Sequence, residues 1–286
     1  MNDSSTTVAE RALAPETARA MHGSGVLVGY LCAVSAGTLW GTTGPLSTAL
    51  YAEGAQLTGI GFWRVLLAVA AFVVWGLTRK DFFRFERRAL LLAGLIGGFF
   101  VALFEVAFQY AIAGVGVASA VVLLYTAPVI VAILGRIILR EALTPARLLL
   151  AFLVMIGVAL TVNGAVVPES AGNAASASNR AIGIAGGLLS AVSFAGMTIV
   201  ARYTVPRWGT VKVLFLELVG GSLILAIVLP LAGHAPVPPA TASGWLFILA
   251  LCAGSVLLAN FAYFAAVRRI DAAPTSVAAS IEPVVG

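Results

Sequence analysis

The sequence predicts an all-α polytopic membrane protein, on three observations. Of 286 residues, 60% are hydrophobic and only 10% charged, with a mean hydropathy of +1.03. A soluble domain carries roughly 25% charged residues, so a soluble globular chain is excluded. The apolar runs are also continuous over about 20 residues, the length that crosses a ~30 Å hydrocarbon core as a helix, whereas barrel strands alternate over about ten. Finally, the basic residues gather at alternate ends of these runs. Because they are so distributed, the net charge of +5 does not point to nucleic acid, which needs basic residues clustered on one face.

Residues 1–25 are a polar tail in which Asp3, Glu10 and Glu16 accompany Arg11 and Arg19. The run that follows is too long for a signal-peptide core, so no cleaved signal is expected. Complete apolar segments are expected near 26–50, 58–78, 89–113, 116–138, 144–165, 182–203, 210–232 and 244–267, and a ninth opens near Ala272. The Pro-, Ser- and Ala-rich stretches 166–181 and 233–243 read as surface loops. Counted from a cytoplasmic N-terminus, all of the 17 basic residues except Arg64 and Arg180 fall on the cytoplasmic side, which sets the orientation. Cys32 and Cys252 lie inside apolar segments and read as small buried hydrophobes. Trp245 suits an interfacial anchor, and His22 and His234 lie outside the segments.

An internal repeat organises the segments. An offset of 155 residues aligns Ala118–Val131 with Ala273–Gly286 and places Pro128 on Pro283, Glu105 on Asn260, Phe108 on Tyr263, Gly41 on Gly196, Thr43 on Thr198 and Ser35 on Ser190. Each copy holds five segments. Five is odd, so the second copy enters the membrane from the opposite side, giving the inverted repeat found in transporters. The expected domains are the tail 1–25, a first five-helix repeat 26–165, an external linker 166–181 and a second repeat 182–286. The first copy runs well past Pro128 but the second barely past Pro283, so the rest of the ninth helix and a tenth are expected beyond Gly286.

The first copy carries Trp40-Gly41, Phe62-Trp63-Arg64-Val65-Leu66-Leu67-Ala68, Tyr110-Ala111, Thr126-Ala127-Pro128, Glu141-Ala142-Leu143-Thr144 and Gly157. The second carries Tyr263-Phe264-Ala265-Ala266-Val267-Arg268-Arg269-Ile270 and Ser280-Ile281-Glu282-Pro283-Val284. In order and spacing these motifs resemble the EamA-type branch of the drug/metabolite transporter superfamily, and within it the YddG-type exporters of aromatic amino acids. The resemblance implies ten helices in two inverted five-helix halves around a cavity of alternating access. It also implies a multi-pass protein of a bacterial-type cytoplasmic membrane.

Ionisable groups inside a membrane are functional candidates, since each costs at least ~2.5 kcal/mol on insertion scales. Arg64 and Glu105 both lie roughly 10–12 Å from the outer ends of their segments at 1.5 Å per residue. They are expected to pair, either to neutralise each other and fix two helices together or to serve in gating. Glu217 is expected at similar depth on the inner side, with Lys212, cavity water or a proton as its partner, either in coupling or gating or as a structural, neutral carboxyl. Near the midplane, Pro128 and Pro283 leave the carbonyls of Leu124 and Ala279 without a helical donor. The segments Tyr125–Pro128 and Ser280–Pro283 are thus candidate hinges and substrate contacts, with Tyr125, Ser280 and Glu282 as the contacting residues, or bends that serve packing alone.

One face of the third segment presents Gly98, Ala102, Glu105 and Gln109; the first offers Trp40, Thr43 and Gly44, and the eighth Asn260 with Tyr263 or Phe264. They predict a polar, aromatic and nearly uncharged cavity. The pairs Gly37/Gly41 and Gly94/Gly98 read as close-packing sites. With Arg64 the only basic residue inside, a phosphate-bearing solute lacks its clamp. A neutral or zwitterionic small molecule, aromatic favoured, fits better, and aromatic cations remain open through Glu105, Glu217 and Glu282. The expected function is export of amino acids with an aromatic preference, the alternative being other small solutes or cationic aromatic drugs. No Ser-His, His-Asp or metal-ligand constellation lies within a segment, so no enzyme, cofactor or metal is expected. The expected partners are the solute and the lipid bilayer, without nucleic acid, and a monomer is compatible with all of this.

Overall fold

A computed structural model describes residues 25–141 and 177–281, together with 145, 149, 152, 153, 155 and 156. Among the described residues every regular element is helical. The elements are α1 (Gly25–Ala52), α2 (Leu57–Leu77), α3 (Arg87–Leu124), α4 (Ala127–Ile138), α5 (Ala177–Trp208), α6 (Thr210–Leu231), α7 (Ala242–Val267) and α8 (Ala272–Ala279). Six of them are long and apolar enough to cross a membrane, and α4 is a shorter apolar helix. Large apolar side chains such as Leu77, Leu95, Ile137, Ile227 and Leu246 point outward, as lipid contact requires. Most of the fifth expected segment and of the 166–181 linker lies outside the described residues.

The helices are interrupted where backbone chemistry demands it. α1 is broken at Thr42, whose hydroxyl turns back to donate to the Leu39 carbonyl at 2.7 Å. α3 carries the third expected segment and the start of the fourth, broken at Gly116, where φ of 80° and ψ of 161° suit only glycine. Tyr125 and Thr126 then separate α3 from α4, and Pro128 sits in the first turn of α4, where its missing N–H has no helical acceptor to lose. The expected bend in the fourth segment is therefore a full break, and Thr126 Oγ1 satisfies the Leu123 carbonyl at 2.8 Å.

Backbone geometry coincides at the 155-residue offset. Gly54 and Gly209, in the turns ahead of α2 and α6, both have φ of +82°. Gly116 corresponds to Asp271, where ψ is alike (161° and 160°) but φ is not (80° and −64°). Tyr125 (φ −73°, ψ 5°) corresponds to Ser280 (φ −72°, ψ 18°), each ending one.

Two π-helical stretches, Leu90–Gly97 in α3 and Cys252–Leu258 in α7, border the interior. Such stretches shift side chains from their helical register and occur often at functional sites. α3 and α6 cross through glycines: a Cβ on Gly98 would lie 2.6 Å from the Gly220 Cα. A Cβ on Gly37 would fall 2.9 Å from the backbone carbon of Ala279, so α1 and α8 touch through main chain. Gly37, Gly94 and Gly98 thus lie at close helix contacts.

One end of the molecule gathers the basic loops, with Phe82, Phe83 and Phe85 from the α2–α3 connection packed around Phe215 of α6. At the other end Thr241 caps α7, accepting from Gly244 N at 3.0 Å and donating to Glu53 Oε2 at 2.5 Å. Hydrogen bonds from Thr241 and Ser243 hold the Glu53 pKa below its usual value. A lowered folded-state pKa contributes stability that is present above the ordinary carboxylate range and lost as pH falls through the lowered value. The advantage of the wild type over Glu53→Gln in thermal unfolding is therefore expected to be greatest at neutral pH and to vanish on acidification. Thr241→Val, which leaves Ser243 in place, should weaken its pH dependence, and a pH-independent difference in the wild-type background would contradict this assignment.

Candidate functional site

Six helices line one internal cavity. α1 contributes Trp40 and Thr43, α2 Arg64, and α3 Val101, Phe104, Glu105, Phe108 and Leu124. α5 adds Phe194 and Met197, α6 Leu214, Glu217 and Leu218, and α7 Ser255, Val256 and Asn260. A smaller space shares Trp40, Leu124 and Phe194 with it and is otherwise lined by Tyr125, Ala127, Pro128, Ser276, Ala279 and Ser280.

Aromatic rings dominate the walls. Phe104 and Phe108, one turn apart on α3, are stacked at 5.5 Å and 13°. Phe194 meets Trp40 edge-on at 5.5 Å, and Tyr263 lies behind both at 5.1 and 5.4 Å. Trp40 is held by its indole N–H, which donates to the Ser255 carbonyl at 3.0 Å, inside the π-helical stretch of α7. Asn260 spends its amide on the same stretch, donating to the carbonyls of Ser255 (3.3 Å) and Val256 (2.8 Å).

Three ionisable groups face this cavity. Arg64 donates through Nε (2.8 Å) and Nη2 (2.6 Å) to the same oxygen, Glu105 Oε2, with side-chain exposures of 4% and 7%. Two charge-assisted bonds out of water make the pair internally neutral. Glu217 is fully buried, and neither carboxylate oxygen has a partner among the described residues. Its place depends on Gly97, since a Cβ there would lie 2.6 Å from Glu217 Cγ.

The EamA-like transporter family model matches residues 27–163 and 181–286, most of the chain. The chain belongs to the EamA-like transporter family. It is accordingly a multi-pass membrane transporter of small solutes. No curated protein matches this EamA-like chain. Among the solved structures that match is one described as "Crystal structure of protein", with a TM-score of 0.70 and 21% identity, covering 92% of this chain and 85% of that one. At that identity the likeness concerns the fold.

Set in this EamA-like fold, the residues singled out in the sequence separate into groups. Trp40, Thr43, Arg64, Glu105, Glu217 and Asn260 share the main cavity. Tyr125, Pro128 and Ser280 line the smaller space beyond Trp40 and Phe194. Gln109 does not line either one: it is buried and its Oε1 accepts from the Tyr51 hydroxyl. Tyr263 is bonded to Thr198 at 2.8 Å and backs Trp40 without lining the cavity. Glu282 and Pro283 lie outside the described residues.

Two expectations need correction. The main cavity is not nearly uncharged but mostly apolar with three ionisable groups, because Glu217 joins Arg64 and Glu105 in one space. Lys212 is not the partner of Glu217. Its ammonium donates to the carbonyls of Asp81 (3.4 Å) and Arg84 (3.3 Å) and lies over the Phe85 ring, at the basic end.

Sequence reasoning also missed a cluster at that end. Arg202 on α5 donates to Glu141 Oε1 (3.1 Å), to the Val267 carbonyl (2.6 Å) and to Asp271 Oδ1 (2.8 Å). Glu141 Oε1 also accepts from Ala272 N at 3.3 Å. The available signal was opposite charges at the ends of segments on one side of the membrane. Among the described residues, no group of His, Cys, Asp and Glu is placed to hold a metal.

Proposed function

We propose that this EamA-like protein exports amino acids, aromatic ones preferred, across a bacterial-type cytoplasmic membrane with its N-terminus in the cytoplasm. The cavity carries this reading. Its walls of Trp40, Phe104, Phe108 and Phe194 suit a planar ring, and its one basic side chain is already bonded to Glu105, so a phosphate clamp is lacking. The resemblance to YddG-type exporters points the same way.

The mechanism we infer is alternating access by two inverted five-helix halves, 26–165 and 182–286, rocking about the breaks at Tyr125–Pro128 and Ser280–Pro283. The backbone coincidences at the 155-residue offset support this division. A single chain is the transport unit in this reading, and no chemical step is assigned to the buried carboxyls. A second reading, transport of cationic aromatic solutes, is favoured by one observation, the unpartnered Glu217.

Counterflow of labelled tryptophan or phenylalanine into preloaded proteoliposomes tests the proposal. Accumulation above empty vesicles, competed by other aromatic amino acids and not by sugar phosphates, is expected. Accumulation no greater than in empty vesicles would sink the amino-acid reading.

A further inference from the structure

Counting partners among the three ionisable groups of the main cavity singles one out. Glu105 is matched by Arg64, through two donors to one oxygen. The nearest lysine in sequence to Glu217, Lys212, is engaged with the α2–α3 connection. Glu217 is left fully buried with both oxygens unpartnered among the described residues, on the wall of the main cavity. A carboxylate out of water strongly disfavours that state and calls for a cation or a proton. The rest of the wall is suited to the first of these. Aromatic faces attract cations electrostatically, and Trp40, Phe104, Phe108 and Phe194 line the same space. Gly97 leaves room for the carboxylate, which any side chain there would displace.

We propose that Glu217 is the cation-binding residue of the cavity, receiving the ammonium group of a solute whose aromatic body lies against the ring-lined wall. The recognised class is thus the aromatic amine, for which the ammonium is required and a carboxylate is not. This rests on the reading of the cavity as the solute site and narrows it. Aromatic amino acids are bound through their ammonium end, and simple aromatic amines are ligands in their own right.

The test is calorimetric binding at neutral pH to the purified full chain in lipid nanodiscs, with three probes that share an indole ring: tryptamine, tryptophan and indolepropionate. Tryptamine and tryptophan are expected to bind and indolepropionate, which lacks the ammonium, to bind at least about tenfold more weakly. Glu217→Gln should weaken tryptamine at least about tenfold, the scale of one lost charge-assisted bond, while Glu217→Asp, which keeps the charge, should lose less. Should E217Q fail to fold, Gly97→Ala carries the same expectation, because it displaces the carboxylate without removing it. Unchanged tryptamine affinity in the folded variant, indolepropionate binding as tight as tryptamine, or a variant altered only in proton release would each overturn the proposal. The two readings fail separately. Glu217-dependent tryptamine binding without tryptophan counterflow removes the amino-acid reading alone, whereas tryptophan counterflow unaffected by E217Q removes the Glu217 assignment alone.

Discussion

Replacing Arg64 with Met is expected to destabilise the folded protein by about 3–5 kcal/mol, the range for removing one partner of a buried ion pair. The loss is not that of a surface salt bridge, because solvent cannot take the guanidinium's place: both of its bonds go to Glu105 Oε2, and both side chains are buried. What remains in the single variant is a desolvated carboxylate packed beside Gly61, where an added Cβ would lie 3.2 Å from that oxygen. The double variant Arg64→Met/Glu105→Met removes both charges and should recover most of the loss, since replacing a whole buried pair with apolar groups of similar volume is often neutral or stabilising. Thermal or denaturant unfolding in detergent tests this order. A single variant as stable as the double would show that the pair contributes nothing. Tryptophan counterflow with the double variant then separates two roles. Retained flux assigns the pair to fixing α2 against α3, and lost flux with intact stability assigns it to transport.

The forces that act over whole runs of sequence were legible, and those that depend on how helices meet were not. Burial in lipid acts on every residue of an apolar run, so the positions of the spans could be read directly. Their ends could not be: α5 extends to Ala177–Trp208, beyond the apolar run 182–203, because helical hydrogen bonding continues through polar turns such as Asn179-Arg180 and Arg207-Trp208. The Arg64–Glu105 pair was legible because a lone buried cation and an anion at matched depth have strong reason to meet. Gln109 shows the limit. It shares a helical face with Glu105, yet one turn further along that face meets Tyr51 rather than the cavity. Counting depth from helix ends likewise separated Glu217 from Arg64 and Glu105. The packing of α6 on the π-helical stretch of α3 brings Glu217 to the same cavity beside Gly97, and that packing leaves no mark in hydropathy.

The Arg202 cluster leads to the second large effect. Arg202→Met should lower stability by about 2–4 kcal/mol, between the values for exposed and buried pairs, because its side chain is 23% exposed while that of Glu141 is only 10% exposed. One guanidinium ties together the segment after α4, the end of α7 and the entry to α8. Its planar fork reaches three acceptors in different directions, which the single ammonium of Arg202→Lys cannot reproduce, so the Lys variant should fall well short of rescue. The consequence is local as well as global. α8 is only eight residues long and its first amide, Ala272 N, donates to Glu141. Without Arg202, Glu141 and Asp271 face each other as like charges at that entry, so the helix start loses a bond and gains a repulsion. Hydrogen exchange across Ala272–Ala279 is therefore expected to quicken in R202M, with α2 and α6, which the cluster does not touch, unchanged. Glu141→Ala should show a smaller effect of the same kind, since Arg202 keeps Asp271 and the Val267 carbonyl. Of the bonds in the cluster, those of Glu141 are the ones that join residues before 165 to residues after 182. If the two parts of the chain move against each other during transport, these bonds part at each opening of the basic end. Exchange in α8 that is identical in wild type and R202M would refute the view that Arg202 secures the entry of α8.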